Sequence, residues 1–146
     1  MIYTDGAGGT PLGRNGRVLL VLWSVLLAGG FALAWRLEPD PRGFGTHQRL
    51  GLPPCTLRYF AGIPCPSCGM TTSFSYLMKG DVQLAVHANA AGVLLAVLCA
   101  VQIPWCLITA ARGRYFVLEN PTQVLLWCLL AVIAVSLINW IIQLVR

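Results

Sequence analysis

Apolar residues fall into three long runs, separated by stretches rich in turn residues. Residues 18–35 form an uncharged apolar run of 18 residues. At about 1.5 Å per helical residue, that length just crosses a hydrocarbon core of about 30 Å. Runs at about 88–111 and 121–145 are long enough to do the same. The pattern predicts an all-α integral membrane bundle with three spans. Ala28-Gly29-Gly30 in the first run offers a smooth surface on which another helix can pack closely. Residues 1–17 are polar and Gly-rich and predict a flexible tail, with residues 18–146 as one membrane domain. A signal peptide is the rival for the first run, with Arg14 and Arg17 as its charged region and Ala32-Leu33-Ala34 as a cleavage site. The long lead before the apolar run favours a retained span.

The connections have their own pattern. Residues 36–54 carry Pro39, Pro41, Pro53 and Pro54 and predict an irregular loop. Residues 57–78 are apolar but interrupted by Gly62, Pro64, Pro66 and Gly69, so they do not form one spanning helix. They predict a re-entrant or interfacial element within 55–80, where irregular backbone is tolerated if it is buried in protein. Met70 to Met78 reads as a short helix ended by Lys79-Gly80, with Gly80 as C-cap. Asp81 is the expected N-cap of a helix running unbroken to about Ala111, roughly 45 Å, with a kink at Pro104. Asn120 and Pro121 are the expected N-cap and first residue of the last span.

Small residues recur at Ala85, Ala88, Gly92, Ala96 and Ala100, which predicts the interior face of the second span. By helical geometry Asn89 lies about 40° from the centre of that stripe and His87 about 160° away. Asn89 is therefore expected to point inward and His87 outward, with Cys99 on the interior face about 15 Å deeper. Trp35, Trp105 and Trp140 near span ends read as interfacial anchors.

Composition narrows the function classes. The chain is 57% hydrophobic and only 10% charged, with a mean hydropathy of +0.71. A soluble domain of this length carries nearer a quarter charged residues. The net charge of +5 comes from scattered cations without interleaved aromatics, which excludes a nucleic-acid surface. Arg14, Arg17, Arg112 and Arg114 lie close to span ends, so the positive-inside rule puts the N-terminus in the cytoplasm. The 55–80 element then faces the extracytoplasmic side. No charged residue lies within a span, which argues against an ion-coupled carrier or pump.

The candidate chemistry is concentrated in Cys55, Cys65 and Cys68, spaced C-x9-C-x2-C. The C-P-x-C-G turn can bring two thiolates to one tetrahedral zinc ion, and Gly69 permits the backbone turn that this needs. His47, His87, water or substrate would supply a fourth ligand. The same pair at a helix start suits thiol redox chemistry, because the helix N-terminus stabilises a thiolate. A structural disulfide is the third reading. Thr71, Thr72 and Ser73 bond local backbone, or Thr71 and Thr72 line a pocket with Asn89. Cys99, Cys106 and Cys128 stand alone in apolar helices and read as small hydrophobes. Gln102, Asn139 and Gln143 read as partners for hydrogen bonds between helices.

The run Gly62-Ile-Pro-Cys65-Pro-Ser-Cys68-Gly69-Met-Thr71, followed by Lys79-Gly80-Asp81 and His87-Ala-Asn89, resembles the DUF2752 family of small bacterial membrane proteins. The resemblance covers about residues 50–100. Thr72 and Ala90 depart from it, standing where that family commonly has arginine and proline. It implies a bacterial inner-membrane location and an important cysteine motif, and it implies no activity. The expected function is a non-enzymatic accessory component with a structural thiol or zinc site. The alternative is a membrane thiol-disulfide oxidoreductase using Cys65 and Cys68, assisted by Cys55. The expected partners are the lipid bilayer and either a membrane protein or a second copy of the chain.

Overall fold

The structure is a computed structural model that describes residues 11–115 and 121–145. It is helical, with no strand among the described residues beyond one isolated bridge between Pro11 and Arg114. The elements in chain order are α1 (Arg14–Arg36), a 3-10 turn (Thr46–Leu50), α2 (Thr56–Ala61), α3 (Met70–Met78), α4 (Val82–Ala88), α5 (Ala90–Arg112) and α6 (Pro121–Val145). Three helices, within α1, α5 and α6, are long and apolar enough to cross a membrane. Their outward surfaces are apolar, with Leu19, Val25, Leu26, Val101, Leu126 and Ile133 all exposed. This is the architecture of an integral membrane helical bundle, because only a lipid environment tolerates so much exposed apolar surface.

Neighbouring long helices run antiparallel. Ser24 in α1 lies beside Cys106 in α5, and Leu12 N–H donates to Gly113 O just outside both helices. At the other end Phe31 of α1 meets Phe74 of α3, with ring centroids 5.7 Å apart. The C-terminal part of α6 reaches the same end, where Ser136 and Trp140 contact the loop before α3. One end of the bundle therefore gathers the end of α1, the start of α5, the last turns of α6 and the whole cysteine element. Arg14, Arg17, Arg112 and Arg114 lie at the opposite end.

Several local expectations change. α1 begins at Arg14, so residues 14–17, expected outside the first helix, belong to it. Residues 1–10, Asn120 and Arg146 lie outside the described residues. Lys79 is the C-cap of α3 and Gly80 follows it with φ 86°, which places the glycine one position beyond the cap. Asp81 takes the N-cap position of α4 without a side-chain bond. The unbroken helix from residue 81 to 111 is replaced by two, α4 and α5, because Asn89 sits in extended backbone at φ −165° and ψ 110°. The Asn89 side chain accepts from Gly92 N–H at 3.1 Å and so caps α5.

Ala85, Ala88, Gly92 and Ala96 are buried as the stripe predicts. Ala100 is exposed and Cys99 is half-buried; four-residue steps drift about 40° each, so Ala100 has turned about 80° from Gly92, while Cys106 and Ala110 come back to the buried face. Gly92 is required by packing: a Cβ there would lie 2.9 Å from Ser73 Cβ and 3.3 Å from Met70 Cα, so only glycine lets α3 sit on α5. Gly29 and Gly30 have no such neighbour, and the inward face of α1 is Ser24, Phe31 and Ala34 instead.

Candidate metal centre

The cysteine element is built by two tight turns and held by three helices. Gly62, in left-handed backbone at φ 68°, ends α2. The chain then turns through Pro64, Cys65 and Pro66, where the prolines remove donors that would otherwise need partners. Cys68 N–H closes the turn on Cys65 O at 3.0 Å. Gly69 follows at φ 86° as the N-cap residue of α3. A Cβ on Gly69 would stand 2.5 Å from Ala88 O and 2.7 Å from Gly43 O, so the turn is pressed between α4 and the 37–45 loop.

The carbonyls of this turn that no backbone N–H serves are claimed by side chains from elsewhere in the chain. Asn89 Nδ2 donates to Cys68 O at 3.0 Å and to Pro66 O at 3.2 Å. Ser136 Oγ donates to Pro66 O at 3.0 Å, and Trp140 Nε1 donates to Pro64 O at 2.6 Å. Buried carbonyls need partners, and α5 and α6 supply them here. Trp140, expected near a span end as an interfacial anchor, also donates a hydrogen bond into the protein. Ser73 Oγ donates to Asn89 O at 3.0 Å. Thr72 shares a 2.8 Å bond with Thr46, whose Oγ1 also accepts from Asp40 N–H. Neither hydroxyl serves its own helix backbone. They tie α3 to α5 and to the loop after α1.

Cys55, at the N-cap of α2, joins Cys65 and Cys68, and the three Sγ atoms lie within 4.8 Å of one another. Cys65 Sγ and Cys68 Sγ are 3.1 Å apart. That is well beyond the disulfide bond of about 2.05 Å. It is shorter than the edge of about 3.8 Å that a zinc–sulfur bond of about 2.3 Å gives a tetrahedron, so metal binding requires the pair to open slightly. Among the described residues no His, Asp or Glu completes the group. His47 lines the same cleft but stands outside that cluster, and His87 is exposed on α4, away from the cleft.

The thiols are not equivalent. Burial alone would push Cys65 up. Hydrogen bonds with Ser67, Cys68 and Cys55 outweigh it and hold the Cys65 thiol down at about 7. Cys68 lies deeper, and burial together with its bond to Cys65 pushes it up to about 12. The pair therefore shares a proton, with the negative charge on Cys65.

A cleft of about 550 Å³ opens over the three thiols. Arg42, Phe44, His47, Arg58 and Tyr59 are part of its wall, with Thr71 and Thr72. Asn89 is not part of it: it is fully buried behind the turn, where it acts on the backbone. The pocket group expected from sequence is thus divided, with two threonines in the cleft wall and Asn89 beneath it.

Residues 55–103 match the DUF2752 family, described as a protein of unknown function. No curated protein and no solved structure matches the chain. The DUF2752 match starts on Cys55 and takes in all three thiols, α3, α4 and the first part of α5. It omits α6, although Ser136 and Trp140 of α6 hold two of the turn carbonyls. Sequence reasoning missed Ser136 and Thr46, and named Trp140 without its bond to the turn. Ser136 carried one usable signal, as a hydroxyl isolated in an apolar run.

Proposed function

We propose that the protein is a small, non-enzymatic membrane component in which Cys55, Cys65 and Cys68 hold a structural zinc ion. The observation that supports this reading is the convergence of three thiols from the start of α2 and both arms of one turn. Three thiolates suit zinc by softness and by tetrahedral geometry. The ion would tie α2 to the turn ahead of α3. Water or a ligand in the cleft would take the fourth position. The arginines at the far end of the bundle support a cytoplasmic N-terminus, with the cysteine element on the extracytoplasmic face of a bacterial inner membrane. The turn contacts Ser136, nine residues or roughly 14 Å before the end of α6. That depth favours a re-entrant element in a single membrane domain with lipid around it. An accessory role implies a membrane-protein partner or a second copy of the chain.

The test is metal content and free-thiol count on the protein purified in detergent. One zinc per chain is expected, with Cys55, Cys65 and Cys68 unreactive until a chelator is added. A metal-free protein with a reducible Cys65–Cys68 bridge would overturn the zinc reading.

That outcome would favour a second reading, which the 3.1 Å approach of a partly exposed Cys65 to a buried Cys68 supports. Here the dithiol passes two electrons and two protons to a partner disulfide, leaving a Cys65–Cys68 bridge and a reduced partner. Cys65→Ser separates the two. It loses the fold and zinc together in the first reading, and loses turnover with the fold intact in the second.

A further inference from the structure

The cleft over the thiols contains a second constellation that owes nothing to metal chemistry. The Arg58 guanidinium carbon lies 3.4 Å from the Phe44 ring centroid, and that of Arg42 lies 5.1 Å from the same centroid. Arg42 is committed elsewhere: its Nε and Nη2 donate to Asp40 at 3.0 and 2.7 Å. Arg58 has no ion pair or hydrogen bond to another side chain among the described residues. Cation–π attraction to the ring uses none of the guanidinium N–H donors, so they are left for an acceptor. An arginine held still with unused donors, inside a cleft, is a prepared anion site.

The rest of the wall agrees. His47, Gln48 and Thr71 add donors, and among the described residues no Asp or Glu lines the cleft, where the Cys65 thiolate of the metal-free protein is the negative group. Donors of several kinds around one space suit a tetrahedral oxyanion, which offers acceptors in several directions, better than a planar carboxylate. A volume of about 550 Å³ exceeds what a bare phosphate fills and lies in the ordinary range for small organic ligands. Pro54, Tyr59 and Met70 provide an apolar wall for an organic body. Arg58 is also flanked on α2 by exposed Leu57, Tyr59 and Phe60, which suit a position at the lipid surface.

The geometry points to a binding site for an organic phosphate, with Arg58 as its principal donor. The phosphate belongs either to a soluble metabolite or to the headgroup of an anionic phospholipid. Because the Arg58–Phe44 stack needs no metal, this inference stands or falls apart from the zinc reading.

The test uses the full chain in two arms. In detergent, calorimetric titration with glycerol 3-phosphate and with inorganic phosphate measures a soluble ligand. In nanodiscs of mixed phosphatidylglycerol and phosphatidylcholine, native mass spectrometry counts which lipid is retained. Binding in the first arm supports a soluble source, and selective retention of phosphatidylglycerol in the second supports a lipid source. In either arm Arg58→Gln is expected to weaken binding at least tenfold, and Arg36→Gln, at the end of α1, to leave it unchanged. Phe44→Leu keeps the charge but removes the stacking face, and is expected to weaken binding severalfold. It serves as the second variant if Arg58→Gln misfolds. Phosphate binding equal in wild type, Arg58→Gln and Phe44→Leu overturns the proposal. So does the absence of binding by every phosphate probe in both arms.

Discussion

Asn89 is the residue whose replacement best tests how the cysteine turn is held. It is fully buried, caps α5 through Oδ1, and donates through Nδ2 to Cys68 O and Pro66 O. Asn89→Ala removes the cap, which costs about 1 kcal/mol. It also leaves Cys68 O without its side-chain donor inside the protein, at about 1–3 kcal/mol. Pro66 O keeps its bond from Ser136 and adds little. The sum is about 2–4 kcal/mol, a large part of the margin of a small domain. Asn89→Asp is the sharper variant. Asparagine and aspartate are equally good N-caps, so a residue that only capped α5 would tolerate the change. Here a carboxylate would replace the donor and face two carbonyl oxygens at about hydrogen-bond distance. Asn89→Asp is therefore expected to be at least as damaging as Asn89→Ala. The assay is thermal unfolding in detergent, followed by circular dichroism, with zinc retention measured on the same samples. An Asn89→Asp protein within about 0.5 kcal/mol of wild type would refute the reasoning, since surface-like changes fall in that range.

Other outcomes follow from the same contacts. Gly69→Ala should abolish the native turn, because its Cβ would overlap Ala88 O and Gly43 O in left-handed backbone, whereas Gly80→Ala, with nothing within 4 Å, should cost only about 1–2 kcal/mol; parallel melting curves in detergent compare them. Trp140→Phe keeps an aromatic ring but leaves Pro64 O without its indole donor, so a loss of about 1–3 kcal/mol is expected, and Ser136→Ala should cost less because Asn89 still serves Pro66 O. In metal-free, reduced protein, alkylation of Cys65 should rise with pH and reach half its maximal rate at about pH 7, as the thiolate forms. Cys68 should stay protonated and slow to react until far higher pH, and mass mapping of the labelled cysteine separates the two.

Much of the plan of this protein is legible in local pattern. Three apolar runs of bilayer length specify three long helices, because a helix in lipid satisfies its own backbone and needs only apolar side chains outside. The bounds of the short helix Met70–Met78 follow from Gly69 before it and Gly80 after it, since both conformations favour glycine. The burial of Ala85 with Ala88, and of Gly92 with Ala96, follows from their spacing of three and four within α4 and α5. The closeness of Cys65 and Cys68 follows from the tight turn between them.

What local pattern did not contain is which distant groups meet. Cys55 joins the pair only because the turn folds back over α2. The chain breaks at Asn89 because that side chain serves two carbonyls about twenty residues earlier, and helix propensity says nothing of such a demand. Trp140 and Ser136 look like ordinary residues of a spanning helix until α6 packs beside the turn and adds donors for Pro64 O and Pro66 O. Arg58 and Phe44 likewise carry no mark of each other in the sequence until folding lays the guanidinium on the ring. Periodicity and chain length act within one segment and are written in the sequence. The partners of buried polar groups are chosen across segments, and only the tertiary structure decides them.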